Sequence, residues 1–172
     1  IDPKAPYYVI ANTSASAVQA VNKAISQGKS VYLTDDGYIV DRDTFASLLP
    51  NYAIYGEALY KVPNGPTLKP LKVYSPSYHY YWAGVDSPAH SSLVLAKLGF
   101  QIVDTPEEAD VVVLESNRFD ASIFGKKPTL VIGGEAMQKL EKLGVLAGFD
   151  AEKLKGGSDY EGLMKAIIDD QD

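Results

Sequence analysis

The sequence predicts an α/β protein: a doubly wound, mostly parallel sheet with an N-terminal β-α-β plus hairpin segment. Three observations carry this. Short apolar, β-branched runs alternate with segments of helical period. Two of those runs, Val111-Val112-Val113-Leu114 and Pro128-Thr129-Leu130-Val131-Ile132, show no polar face, as strands buried in a parallel sheet do. Glycine closes two of the helical segments, at Gly28 and Gly99, and a new strand follows each. Strands alternating with helices imply parallel β-α-β winding. At 172 residues the chain has the length of one domain, or of two small layers sharing a core. Such a chain buries roughly 70% of its unfolded surface and needs no cross-link to stand alone.

Taken in order, Tyr7-Tyr8-Val9-Ile10-Ala11 reads as a buried strand. Asn12-Thr13-Ser14-Ala15-Ser16 supplies helix-capping side chains, which explains the Asn12-Thr13-Ser14 triplet better than glycosylation does. Val18, Val21 and Ile25 then recur at helical spacing up to Gly28. Ser30-Val31-Tyr32-Leu33-Thr34 is the return strand, and Asp36-Gly37 inside the 31–40 run signals a hairpin. From Asp41 to Pro70 the helical signal is weak, and Pro63-Asn64-Gly65-Pro66 reads as a linker. These features place a boundary between subdomains 1–66 and 67–172.

The second stretch repeats the plan. Leu71-Lys72-Val73-Tyr74-Ser75 is a strand, and Ser87-Pro88 offers an N-cap with proline at the first helical position. Leu93, Val94, Leu95 and Leu98 form the apolar side of that helix, and Phe100-Gln101-Ile102-Val103 is the next strand. Thr105-Pro106-Glu107-Glu108 opens a helical turn with acids where the helix dipole favours them. Asp110 leads into 111–114, and 128–132 is followed by Gly133-Gly134 and a helix bearing Met137, Leu140 and Leu143. Strands 111–114 and 130–132 are expected to be central and buried. Ser158-Asp159-Tyr160-Glu161 is a capping-box pattern opening a last helix with Leu163, Met164, Ile167 and Ile168.

Composition excludes several functions. With 16 Lys+Arg against 22 Asp+Glu the net charge is −6, which gives no reason to expect nucleic acid as a partner. No apolar run approaches the length that spans a bilayer as a helix, so no membrane insertion is expected. Cysteine is absent, which removes a thiol nucleophile, a thiolate metal site and any disulfide. A start at Ile1-Asp2-Pro3 and an end without Gly or Pro lead us to expect a piece of a longer protein.

The most unusual segment is Tyr78, His79, Tyr80, Tyr81 and Trp82, a predicted loop after a strand at the carboxyl edge of the sheet. Such edges bind ligands, and rigid aromatic rings suit a glycan or peptide; covering an edge or packing on a neighbouring domain is the competing role. Glu115, Ser116 and Asn117 follow the 111–114 strand at the same edge, as the polar wall of a ligand crevice would. The turn at Gly133-Gly134-Glu135 has the small residues of a nucleophile elbow without the nucleophile, and Glu135 suits the first turn of a helix. It contains neither a dinucleotide fingerprint nor a phosphate loop. His79 and His90 are not at zinc-binding spacing, so no metal and no cofactor are expected. A hydrolase built on Glu135, Glu115 and His79 would need these groups to converge.

Leu71-Lys72-Val73-Tyr74, the Trp82 segment, Leu98-Gly99-Phe100, 109–114 and 128–134 together resemble a class I glutamine amidotransferase-like domain. More narrowly, the chain is similar, over most of residues 6–150, to the accessory region that follows the catalytic domain in some large secreted zinc-carboxypeptidase-like proteins. The resemblance implies a flavodoxin- or amidotransferase-like α/β fold. Active amidotransferases carry Cys at the turn near Gly134, and a zinc carboxypeptidase carries His-x-x-Glu; this chain has neither. What is implied is therefore a degenerate, non-catalytic accessory or interaction domain, extracellular or on a cell surface. Its expected partners are the neighbouring domains of a larger protein. The alternative is a glycan- or peptide-binding domain using 78–82, with Glu115, Ser116, Asn117, Gly134 and Glu135 as further candidates.

Overall fold

The first helix begins where its capping side chains predict. In the computed structural model, which describes residues 1–80 and 83–147 (of 78–80 the backbone only), Ser14 caps α1 (Ala15–Ser26). Its Oγ accepts from the amide of Ala17 at 3.2 Å. At the other end Gly28 takes φ 75°. Its amide donates to the carbonyl of Ile25, and the next amide, of Lys29, reaches back to Ala24. Gly99 (φ 92°) closes α3 (His90–Lys97) in the same way, with Gly99 bonded to Ala96 and Phe100 to Leu95. Two glycines thus perform one task, a left-handed residue that satisfies the last carbonyls of a helix.

The chain divides into two units, Ile1–Pro70 and Leu71 onward. The first holds β1 (Tyr7–Ile10), α1, β2 (Tyr32–Thr34), β3 (Gly37–Asp41), α2 (Arg42–Leu48) and β4 (Gly56–Leu59). Its sheet runs β2-β3-β1-β4 with every pairing antiparallel. This corrects the simple β-α-β expected there. β1 and β2 run the same way, but β3 lies between them, because the Asp35-Asp36 turn folds β3 back beside β2 and on to β1. Tyr8 pairs with Val40 and Ile10 with Tyr38, all buried; the apolar face of α1 (Ala17, Val18, Ala20, Val21, Ala24, Ile25) is buried too. Tyr38 keeps its hydroxyl in this interior without a hydrogen-bond partner among the described residues, and burial pushes the phenol far above its ordinary pKa. It is therefore a neutral part of the core.

The helix α2 lies in a stretch whose apolar period is weak, and its cap makes it. Asp41 accepts from the amide of Thr44 at 2.8 Å and from its hydroxyl at 2.7 Å. Phe45 stacks on Tyr8 with ring centroids 4.4 Å apart and planes 7° from parallel. Desolvation pushes the Asp41 carboxyl up, but the bonds from Thr44 and Asp43 and the charge of Lys29 outweigh it, and its pKa lies below the ordinary 3.8. A carboxyl whose pKa is lower folded than unfolded contributes fully above the unfolded value and loses that contribution as pH falls below it. Asp41→Asn is therefore expected to flatten the loss of stability between about pH 5 and pH 3. Asp41→Ala should cost about 1 kcal/mol at neutral pH. Urea midpoints across that range check both, and equal acid slopes for wild type and Asp41→Asn would refute the assignment.

The second unit holds β5 (Lys72–Tyr74), β6 (Tyr78–Tyr80), β7 (Val85–Ser87), α3, β8 (Gln101–Ile102), β9 (Val111–Leu114), β10 (Thr129–Val131) and α4 (Gly134–Leu143). β10-β9-β5-β8 form a four-stranded, wholly parallel sheet. The protein is thus mixed α/β, with one parallel and one antiparallel four-stranded sheet, where the sequence suggested one mostly parallel sheet. All four residues of β9 are buried, so both faces of that strand are covered. On one face Val112 and Leu114 pack with Phe119 and with Ala136 and Leu140 of α4.

Three further expectations are corrected. β10 is the outermost strand among the described residues and half-buried, since it has β9 on one side only. Ser87 ends β7 instead of capping a helix, and α3 begins at His90 after Ala89, which has no capping side chain. The aromatic run is not a plain loop: Tyr78–Tyr80 pairs antiparallel with Val85–Ser87, in the register Tyr78 to Ser87, His79 to Asp86 and Tyr80 to Val85. The Thr105–Glu108 turn forms, as a 3-10 turn over Pro106–Glu108. The capping box at 158–161 and its helix lie outside the described residues.

Candidate functional site

The strand order of the parallel sheet reverses at β5, which pairs with β8 on one side and β9 on the other. The register is pinned by Asp110, whose Oδ2 accepts from the amide of Lys72 at 2.9 Å while its own amide donates to the Lys72 carbonyl at 2.8 Å. Beyond the carboxyl ends of β5 and β9 lie Ser75, Glu115 and the start of α3. There Glu115 does what a ligand would do. Its two oxygens accept from the amides of His90 (2.7 Å) and Ser91 (2.8 Å), the first residues of α3. A helix start presents unpaired N–H groups and the positive end of the dipole, and a carboxylate answers both. Behind it the buried hydroxyls of Ser75 and Ser91 bond to each other at 3.1 Å.

The remaining candidates gather elsewhere. Ser116 Oγ accepts from the amide of Arg118 at 3.2 Å, shaping the loop. Lys139 donates to the carbonyls of Asn117 (2.9 Å) and Phe119, with its ammonium 4.3 Å above the Phe119 ring. Asn117 and Glu135 border one open depression with Gln138, Lys139, Lys142 and Leu143. Gly133 turns the chain into α4 with φ 83°, and a Cβ added at Gly133 or Gly134 meets nothing within 4 Å. A side chain would thus find open space at Gly134, whereas at Gly133 the positive φ would strain it. Burial and the charge of Glu107 raise the pKa of Tyr74, at the end of β5, so its phenol stays protonated at neutral pH.

Glu115 and Glu135 thus serve different partners, Glu115 at α3 and Glu135 at the depression. Tyr78, His79 and Tyr80 are placed by backbone only, and Tyr81 and Trp82 lie outside the described residues. Among the described residues no three His, Asp or Glu side chains form a group that could hold a metal ion. None of their helices is long and apolar enough to cross a membrane. Sequence reasoning missed Ser75, Ser91, Asp110 and Lys139. Only Asp110 had a local signal, an acid directly before an all-apolar strand.

No family model matches the chain, and no curated protein or solved structure matches it either. The functional reading therefore rests on the residues themselves.

Proposed function

We propose that this chain is a non-catalytic accessory or interaction domain of an exported or surface-held protein, derived from a class I amidotransferase-like fold. Read in its own chain order, the second unit's parallel sheet runs 4-3-1-2, which supports the doubly wound, flavodoxin-like arrangement. The observation that carries the functional reading is Glu115. Open parallel sheets bind their ligands outside the carboxyl ends of the strands, where the order reverses. Here the chain's own carboxylate occupies the helix amides at that place. An anionic substrate would have to displace it, and the turn at Gly133-Gly134-Glu135 carries no thiol or hydroxyl to attack an acyl substrate.

Recognition is assigned to the aromatic hairpin, where Tyr78 follows the end of β5 by four residues. A neighbouring domain is the leading partner and a glycan or peptide the second. The purified chain is expected to release no ammonia from glutamine and to cleave no peptide when zinc is supplied. Turnover in either assay overturns the reading. Trp82→Ala should weaken capture of the partner with an unchanged melting temperature; a variant that unfolds instead makes Trp82 a core residue and removes the hairpin's assigned role.

A further inference from the structure

The Pro63-Asn64-Gly65-Pro66 segment of the first unit belongs to no strand or helix. The chain is held on both sides of it. Tyr60, one residue past β4, donates its hydroxyl to Asp2 at 2.5 Å. On the far side Thr67 bridges to Tyr32, and the amide of Leu68 donates to the carbonyl of Val31 at 2.7 Å. Between these anchors Asn64 and Gly65 are exposed, and neither makes a hydrogen bond to any described residue. Gly65 takes φ 109°, and a Cβ built on it would meet nothing within 4 Å. An asparagine side-chain amide and the next backbone amide thus lie side by side, both open to water.

We propose that Asn64 is a self-modification site, deamidated by attack of the Gly65 backbone nitrogen on its side-chain amide. Hydroxide takes the Gly65 amide proton, and the nitrogen bonds to Cγ of Asn64. The Cγ–Nδ2 bond breaks, and Nδ2 leaves as ammonia with a proton from water. Water then opens the resulting five-membered succinimide at one of its two carbonyls. Opening at the side-chain carbonyl leaves aspartate at position 64; opening at the main-chain carbonyl leaves isoaspartate. In sum one water is consumed, one ammonia is released and one negative charge is added. The step is intramolecular, so it needs an attacking amide that is close, unhindered and not engaged elsewhere. The fold selects Asn64 on that criterion among the five asparagines of the chain. The amide after Asn51 donates to the Leu48 carbonyl at 3.1 Å, and the one after Asn117 to Ser116 Oγ at 3.2 Å. Asn22 lies inside α1, where the next amide belongs to the helix ladder. Asn12 precedes the β-branched Thr13, which crowds the approach. Asp36-Gly37 could close the same ring with loss of water, but Gly37 is buried and paired with Thr34.

Incubating the native chain in mildly alkaline buffer tests this, reading mass, released ammonia and isoaspartate at each position. The mass should rise by about 1 Da at position 64, with an equal amount of ammonia and an unchanged melting temperature. The rate should climb with pH, because the amide must first lose its proton. Gly65→Ala should slow the gain at least about tenfold, since the added methyl crowds the approach. Asn64→Gln should lose it, because the longer side chain must close a larger ring. A side chain at φ 109° is strained, so if Gly65→Ala fails to fold, Asn64→Gln decides. In guanidinium isoaspartate should appear at position 36 as well, where unfolding frees the Gly37 amide. A native chain whose mass stays constant, or rises first at another asparagine, overturns the proposal. An Asn64→Gln chain that gains mass as fast as the native one, or isoaspartate at position 36 in the folded chain, overturns it too.

Discussion

Val112→Asp is expected to cost about 3–5 kcal/mol, a large share of the roughly 5–15 kcal/mol that holds an ordinary domain folded. Val112 is fully buried, midway along a strand flanked on both sides, and packs with Leu114, Phe119, Ala136 and Leu140. A carboxylate placed there must either stay charged without a partner or take up a proton against its ordinary pKa. The same cluster makes Val112→Ala a useful control, since it removes two methyl groups without adding charge and should cost about 1–3 kcal/mol. Denaturant midpoints measure both. A Val112→Asp protein as stable as Val112→Ala would mean that β9 is not interior, and the packing described around α4 would be wrong.

How far the fold was legible follows from how local each signal is. Ser14, Gly28 and Gly99 act on groups within a few residues, so their roles could be read from the chain. The four apolar residues of β9 identified a strand covered on both faces. Strand order is another matter: nothing near Val31–Val40 states that β3 will lie between β1 and β2, because that choice is made by α1 carrying the chain past a gap one strand wide. The start of α3 is a clearer case. Ser87-Pro88 is the better local cap, yet the amides are satisfied by Glu115, which lies 25 residues beyond His90 and arrives only when β9 joins β5. Glu115 was recognised as a candidate from its place after a buried strand, but its partner could not be. The aromatic run reads as a loop because 78–82 shows no apolar–polar alternation, and the turn at Ala83-Gly84 is the one local sign of the hairpin.

Gly37→Ala is expected to be nearly as damaging as the charge at Val112, at about 3 kcal/mol or more. Two separate costs add at this residue. Its φ is 139°, a region that side-chain-bearing residues rarely adopt, which alone costs on the order of 1–3 kcal/mol. A Cβ built there would also lie 2.1 Å from the carbonyl oxygen of Ile10 and 3.0 Å from its carbon. Those atoms belong to β1, held by β3 on one side and β4 on the other, so they cannot move aside as a flexible side chain would. Relief requires β3 to lift from β1 at its first residue, next to the buried Ile10 and Tyr38 pair. Asp36→Ala, one residue earlier, touches only the exposed turn and should cost about 1 kcal/mol or less. The comparison isolates the cause: both changes sit at the same hairpin and differ in whether a neighbouring strand is in the way. Thermal or urea unfolding of the two variants provides the check. Equal midpoints would mean that β3 has slack against β1, and the tight crossing that makes residue 37 a glycine would not exist.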